Sequence, residues 1–243
     1  MLHETPEIPM QDLRLLERPS VLIFDVNETL IDIESLQPLF ARLFGTAHAT
    51  REWFNTLIMY SMTITLSDAY VDLLSLGGSV LRMMADVHGV AIEPADVAIL
   101  EEGLRTLPAH EDAAEGLRML RDAGFRLVTL TNSPSTSSGR SPLDHAGLGP
   151  YFERQFTVDT MHAFKPSPLV YGFAVQSLGV RPSDCCLIAA HVWDTIGAQS
   201  VGMTAALVTR PGNALLPHPR LPQPVASGKT LPEVATRLIE RWR

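Results

Sequence analysis

The chain contains the segment Val21-Leu22-Ile23-Phe24-Asp25-Val26-Asn27-Glu28-Thr29, in which four strand-forming apolar residues run directly into polar ones. An uninterrupted apolar run of this kind is typical of a strand that is buried on both faces of a parallel sheet. The polar residues would then lie at the carboxyl end of the strand, where such sheets bind their ligands. The segment therefore predicts a buried strand that opens into a functional loop.

Three further apolar runs repeat this arrangement, at residues 125–130, 185–190 and 204–208. Helical patterns at 113–123, 169–178 and 195–201 separate them, and a glycine follows each pattern. Strands that alternate with helices in this way predict right-handed crossovers and an α/β fold with a Rossmann-like parallel sheet. The polar ends of the strands would meet at one edge of that sheet.

Residues 34–104 interrupt the alternation, because they read as helical throughout, with candidate helices at 36–44, 51–60 and 69–90. Asp68 is a candidate cap for the last of these. A helical insertion over the functional edge would act as a cap that excludes water. We therefore expect an N-terminal arm at 1–18, a core domain at 19–33 and 105–243, a cap domain at 34–104, a proline-rich loop at 211–224 and a final helix at 232–242.

Composition excludes several classes of function. The net charge of -8 argues against a nucleic-acid partner, although local basic groups could still hold a small anion. No apolar run is long enough to span a membrane, and the polar first 20 residues do not resemble a secretory signal, so we expect a cytoplasmic protein. Cys185 and Cys186 are adjacent in an apolar run, which predicts buried, inert thiols and no intrachain disulfide.

Four groups of residues at the predicted functional edge could carry chemistry. Asp25 could act as a nucleophile through an ester intermediate, and Lys165 could balance its charge. Thr131 and Asn132 could bind an anion, and Asp194 follows the third apolar run. Each also has a structural explanation: a helix cap or turn for the aspartates, a turn for Thr131-Asn132, and a solvated surface residue for the lysine. Their convergence on one sheet edge favours an active site.

The ordered set of motifs resembles the haloacid dehalogenase superfamily over nearly the whole chain after residue 18. Motif one is residues 25–29, motif two is Thr131-Asn132, motif three is Lys165-Pro166, and motif four contains Asp194. The resemblance implies a Rossmann-like parallel-sheet core of the haloacid dehalogenase type, with a helical cap inserted after motif one.

Two positions distinguish the branches of this superfamily. Its phosphatases carry a second aspartate two residues after the nucleophile, where this chain has Asn27, and an acidic magnesium ligand about five positions before the last aspartate, where it has Ala189. Magnesium would lose an oxygen ligand, and phosphoryl transfer would lose its main charge neutraliser. The sequence thus favours the metal-free 2-haloacid dehalogenases, with no metal and no cofactor.

The resemblance to this branch implies that Asp25 displaces halide from carbon and that water then hydrolyses the ester, giving the 2-hydroxy acid. Lys165 would neutralise Asp25, and Asp194 would orient or activate the water. The predicted catalytic residues are Asp25, Lys165, Asp194, His191 and Thr29. The predicted substrate-binding residues are Thr131, Asn132, Tyr171, Trp193, Asn27, Phe54 and Asn55.

Three positions depart from the family pattern. Phe54 stands where the family has a cap arginine beside a tryptophan, and Arg51 lies one turn earlier, rotated by about 60°. Loss of a charge-assisted contact of on the order of 2–3 kcal/mol would slow halide displacement by about one to two decades. Ala189 replaces a serine that supports the hydrolytic water. His191 replaces an asparagine and could act as general base for that water, because an unperturbed imidazole titrates near neutrality.

The sequence therefore predicts metal-independent dehalogenation of a small 2-haloacid such as a haloacetate. Two alternatives stay open: a phosphatase of the same superfamily with an unusual metal site, and a non-catalytic relative that binds a small carboxylate. The expected partner is the small-molecule haloacid. A homodimer is possible by resemblance, and the apolar residues 57–60 fit either an interface or packing inside the cap.

Overall fold

The computed structural model describes residues 17–135 and 140–243, so nearly all of the predicted N-terminal arm lies outside the described residues. One sheet of six strands runs in the order β3-β2-β1-β4-β5-β6, and every neighbouring pair is parallel. This confirms the predicted α/β fold. The strands are β1 (Val21–Phe24), β2 (Arg126–Thr131), β3 (Arg154–Thr157), β4 (Cys185–Ala189), β5 (Thr204–Val208) and β6 (Ala226–Gly228).

Helices connect and cover these strands. None of the helices in the described part of the chain is both long enough and apolar enough to cross a lipid bilayer. In chain order they are α1 (Gln37–Phe44), α2 (Ala49–Leu66), α3 (Leu73–His88), α4 (Pro94–Arg105), α5 (Ala113–Asp122), α6 (Pro142–His145), α7 (Pro168–Leu178), α8 (Val192–Ser200) and α9 (Leu231–Arg241).

Strand β1 lies inside the sheet between β2 and β4, and all four of its residues are fully buried. Helix α7 packs on α8, which covers β4 and β5, and α5 packs on α9, which covers β5 and β6. Right-handed crossovers in opposite directions along the sheet place these two helix pairs on opposite faces. The loop that follows β1 therefore leaves the centre of the sheet edge.

Helices α1 to α4 lie between β1 and β2 in the chain and pack mainly on one another. The predicted start of the third inserted helix is wrong. Asp72, not Asp68, caps α3, and its carboxylate accepts the backbone N–H groups of Leu74 and Ser75 at 3.0 and 3.1 Å. Residues 69–72 are not helical, and Asp68 sits in a turn with a positive φ of 54°.

Sequence periodicity missed the two edge strands. Strand β3 is half exposed and β6 has only three residues, so neither contains the apolar run that marks a central strand. The prediction for Cys185 and Cys186 is confirmed, because both are buried and free. Burial raises the pKa of Cys185 to about 11 and that of Cys186 to about 12, which keeps both thiols protonated and unreactive at neutral pH.

Candidate active site

Asp25 lies at the carboxyl end of β1 and is almost fully buried. One carboxylate oxygen accepts a hydrogen bond from Lys165 Nζ at 2.7 Å, and the other accepts one from Thr29 Oγ1 at 2.6 Å. Burial alone would raise the pKa of Asp25, but the charges of Lys165 and His191 outweigh it and hold that pKa well below its usual range. Asp25 is therefore ionised at neutral pH, as a nucleophile must be.

Hydrogen bonds from residues that follow two other strands, β4 and β5, hold the loop after β1 in place. Thr29 Oγ1 accepts the backbone N–H of Ala190, after β4, at 2.8 Å. The Thr29 carbonyl accepts two hydrogen bonds from the buried guanidinium of Arg210, after β5, which also pairs with Asp112 at 2.8 Å. Sequence reasoning missed Arg210, although a charged residue just after a buried strand was a usable signal.

Lys165 is fully buried, which rules out the solvated surface position considered from the sequence. Its ammonium donates to Asp25 at 2.7 Å, to Asp194 at 2.8 Å and to the Leu130 carbonyl at 2.9 Å, so all three donors are used. Burial lowers the pKa of Lys165, but the two carboxylates outweigh it and raise that pKa. The backbone N–H of Lys165 donates to Asn132 Oδ1 at 3.0 Å, which ties motif three to motif two.

Asp194 lies fully buried in the first turn of α8. It accepts a hydrogen bond from the Tyr171 hydroxyl at 2.5 Å in addition to the one from Lys165. Burial raises the pKa of Asp194; Lys165 lowers it, and the nearby charge of Asp25 raises it further. The net direction is upward, so Asp194 holds a proton more readily than Asp25 does.

The contact between α7 and α8 depends on Gly197. A Cβ at this position would lie 2.6 Å from both the Tyr171 hydroxyl and Pro166 Cβ. We expect Gly197→Ala to cost about 1–3 kcal/mol in free energy of unfolding and to lower activity by displacing Tyr171 from Asp194. Gly172→Ala, in the exposed middle of α7 with no atom within 4 Å of the new Cβ, should instead stabilise by up to about 1 kcal/mol. Urea denaturation of both variants measures the difference, and equal effects would contradict the proposed packing.

The donor set does not fit a resident magnesium ion. The ammonium of Lys165 bridges the two carboxylates that would be its ligands, and Ala189 offers no side-chain oxygen. Among residues 17–135 and 140–243, no group of three or more His, Cys, Asp and Glu side chains is arranged to hold a metal.

His191 follows β4 and lies beside Asp25. Its Nε2 donates to Glu28 at 2.5 Å, and its Nδ1 lies 3.7 Å from Asp25 Oδ2. Burial would lower the pKa of His191, but Asp25 and Glu28 outweigh it and raise that pKa to about 9. The resting side chain is therefore an imidazolium, whereas the sequence-based role as a base assumed an unperturbed pKa. The ring of Trp193 stacks on it at 5.0 Å, and that of Phe54 lies at 5.6 Å.

Arg51 is not a free cation that could take the role of the expected cap arginine, because its guanidinium is already paired. It forms ion pairs with Glu28 and Glu34 and also donates to the Pro211 carbonyl at 3.3 Å. Glu28, which sequence reasoning quoted only as part of motif one, is buried and has a φ of 66°. Left-handed backbone is uncommon for residues other than glycine, so the site tolerates strain to place this carboxylate.

The predicted substrate-binding residues do not all lie together. Asn132 is buried beside Lys165, and Asn27 donates from Nδ2 to Ser133 Oγ at 3.0 Å across the edge between β1 and β2. Thr131 accepts the backbone N–H of Ser133 at 3.1 Å. Asn55, in contrast, is on the exposed side of α2. Tyr171 contacts Asp194, and Trp193 and Phe54 contact His191, as described above.

The chain is similar in sequence and in fold to known hydrolases. A family model of haloacid dehalogenase-like hydrolases matches residues 19–202. The chain is 28% identical over 193 residues to (S)-2-haloacid dehalogenase 4A of Burkholderia cepacia, covering 79% of this chain and 83% of that one. It is 31% identical over 122 residues to haloacetate dehalogenase H-2 of Moraxella sp. (strain B), covering 50% and 54%.

The fold also matches that of the L-2-haloacid dehalogenase of Xanthobacter autotrophicus with chloropropionic acid covalently bound. The TM-score is 0.79 at 21% identity, over 90% of this chain and 97% of that one. The family match covers most of the chain, and the four motifs lie at one sheet edge in the structure. The chain therefore belongs to the haloacid dehalogenase-like hydrolases.

Proposed function

We propose that this hydrolase removes halide from a small 2-haloacid through an ester of Asp25, giving the 2-hydroxy acid. The observation that carries the proposal is the ionised, buried Asp25 carboxylate that is paired with the buried ammonium of Lys165. Curated relatives with 2-haloacid and haloacetate dehalogenase activity in their names support the substrate class.

In the first step a carboxylate oxygen of Asp25 attacks the carbon that bears the halogen, and halide leaves with the bonding electrons. Lys165 orients the carboxylate, and Thr29 holds its second oxygen. In the second step water attacks the ester carbonyl carbon, which releases the 2-hydroxy acid and restores Asp25. Asp194 and His191 are the groups available to position that water or accept its proton.

Attack on carbon suits this site better than attack on phosphorus. A transferring phosphoryl group carries charge that phosphatases neutralise with magnesium and an acidic proton donor. Here position 27 is an asparagine whose amide is bound to Ser133, and Lys165 occupies the space between the two carboxylates. A haloacid brings one carboxylate charge only, which is small enough for neutral donors such as the Asn132 amide to bind without a metal ion.

Helices α1 to α4 are proposed to form the cap over this site. Phe164 N–H donates to Thr65 Oγ1 of α2 at 2.9 Å, and Phe54 of α2 touches His191. These contacts bring the insertion onto the sheet edge, where it would exclude water from the ester.

Halide release tests the proposal directly. Chloro-, bromo- and fluoroacetate are supplied in the presence of a chelator, and free halide is measured over time. We expect turnover of at least one of them, with a rate unchanged by the chelator. An aryl phosphate with added magnesium serves as the comparison substrate. Magnesium-dependent phosphate release without halide release would overturn the proposal in favour of a phosphatase, and turnover of neither would favour a non-catalytic binding protein.

A further inference from the structure

Tyr70 connects the proposed cap to the core. It lies in the non-helical stretch between α2 and α3 and is partly buried. Its hydroxyl donates to Asp159 Oδ1 at 2.5 Å, and its ring stacks on those of His162 and Phe164 at 5.0 and 5.1 Å. Phe164 in turn donates its backbone N–H to Thr65 Oγ1 of α2 at 2.9 Å. The end of α2 and the residues after it are thus bound to the core segment that leads to motif three.

Asp159 also contacts the loop that follows β2. It lies in a short 3-10 helix after β3, and its second carboxylate oxygen, Oδ2, accepts the backbone N–H of Ser135 at 2.6 Å. Thr157 holds the same loop, because its hydroxyl donates to the Ser133 carbonyl at 2.7 Å. One carboxylate therefore joins the cap to the loop that carries motif two.

The hydrogen bond from Tyr70 to Asp159 is charge-assisted. Asp159 accepts at both oxygens, as an ionised carboxylate does. Burial raises the pKa of the Tyr70 hydroxyl and Asp159 raises it further, so the phenol stays protonated and donates at neutral pH. Hydrogen bonds to an ionised acceptor are roughly twice as strong as those between neutral groups. The contact is therefore strong enough to hold the cap on the core.

The contact lies far from the chain connections of the cap. Those connections meet where the Asp32 N–H donates to the Pro108 carbonyl at 2.8 Å, and Arg51 forms its ion pairs beside them. Arg51 and Thr65 lie about 21 Å apart along the axis of α2. Lifting the cap about its chain connections would move the end of α2 farthest, so Tyr70 is well placed to distinguish a docked cap from a lifted one.

We propose that Asp159 is a positioning residue that couples docking of the cap to the placement of the substrate-binding loop. Tyr70 of the cap and the Ser135 N–H of the loop share its carboxylate, so each bond holds Asp159 in place for the other. On the proposed function, the haloacid carboxylate binds at Thr131 and Asn132 of this loop. The inference rests on that function for what the loop binds, whereas the coupling itself does not depend on it.

Hydrogen exchange of two backbone amides, followed by NMR on the full chain, tests the coupling. The Phe164 amide reports docking, because its acceptor is on α2, and the Ser135 amide reports the loop. Tyr70→Phe keeps the ring and removes one oxygen that is bonded to neither amide. We expect both amides to exchange faster in this variant, by about 10-fold or more, the factor that a hydrogen bond to a charged group carries.

Tyr60→Phe is the matched control. Tyr60 is a partly buried tyrosine of α2, and its hydroxyl has no hydrogen-bond partner in the part of the chain that the structure describes. Removing this hydroxyl should leave both amides at their wild-type exchange rates.

Asp159→Asn and steady-state kinetics separate positioning from a structural role. Asparagine has one acceptor oxygen, so it cannot accept from Tyr70 and Ser135 at separate atoms. With chloroacetate as the substrate, KM should rise about 3- to 10-fold, the size of one net hydrogen bond, while kcat stays within about twofold. Adding Tyr70→Phe should raise KM no further, because both changes break the same link.

Three results would overturn the coupling: faster exchange at Phe164 with an unchanged Ser135 amide, equal effects of Tyr60→Phe, or additive effects in the double variant. If Tyr70→Phe does not fold, Asp159→Asn takes its place, and an unchanged Phe164 amide then refutes the coupling. If the wild type releases no halide, the proposed function fails together with the KM measurement, whereas the two amides still decide the coupling.

Discussion

Asp25→Asn is expected to lower halide release by about 10⁴-fold or more, the scale seen when a catalytic nucleophile is removed. The amide cannot form the ester, yet its oxygen can still accept the hydrogen bond from Lys165. The loss should therefore appear in kcat rather than in folding. Halide release and thermal unfolding measured on the same preparation separate the two.

Asp32→Asn is the matched control. This aspartate lies in the same segment and caps a short 3-10 helix by accepting the Glu34 N–H at 2.9 Å. Asparagine caps equally well, so activity should be unchanged.

A single turnover in heavy-oxygen water adds a second readout, because attack on the ester carbonyl leaves the label in Asp25 and not in the hydroxy acid. Label in the product, or halide release by Asp25→Asn close to that of wild type, would rule out the ester mechanism.

Lys165→Met is expected to cost about 3–5 kcal/mol in free energy of unfolding at neutral pH and to abolish measurable turnover. Removing one partner of a buried ion pair leaves an uncompensated charge, and here it leaves two carboxylates, Asp25 and Asp194. Lys229→Met is the control, because Lys229 is exposed and should cost no more than about 0.5 kcal/mol.

The effect of Lys165→Met on the free energy of unfolding should depend on pH. In wild type the pKa of Asp25 is lowered by Lys165, so Asp25 contributes stability above its unfolded pKa and loses it as pH falls. In Lys165→Met the carboxylate pair has a raised pKa, so the folded state binds more protons than the unfolded state. Its stability should then fall as pH rises toward neutrality.

Urea unfolding of wild type and Lys165→Met at pH values of about 5 and 8 measures this change. The difference between the two proteins should be smaller at the lower pH and reach its full size at the higher one. A difference that stays constant across this range would show that Lys165 acts through packing and not through its charge on Asp25.

Local patterns in the sequence were sufficient for the core of the fold. Strands β1 and β5 begin and end where the apolar runs do, because a central strand buried on both faces needs apolar residues at every position. The same reasoning placed Asp25, Asn132 and His191 at one edge, since the ends of parallel strands converge there. Lys165 was predicted from its motif, although it lies in the loop before α7 and not at a strand end.

Only the tertiary structure decided which charges meet. Glu28 and His191 are 163 positions apart, and Arg51 joins Glu28 from a helix of the insertion. Sequence periodicity cannot predict such pairs, because their geometry depends on how the inserted helices pack against the sheet edge. The charge state of His191 also depends on that packing: an imidazole near neutrality in water becomes an imidazolium when two buried carboxylates face it. The sequence therefore determined the fold and the position of Asp25 at the sheet edge, whereas three-dimensional packing determined the electrostatics around it.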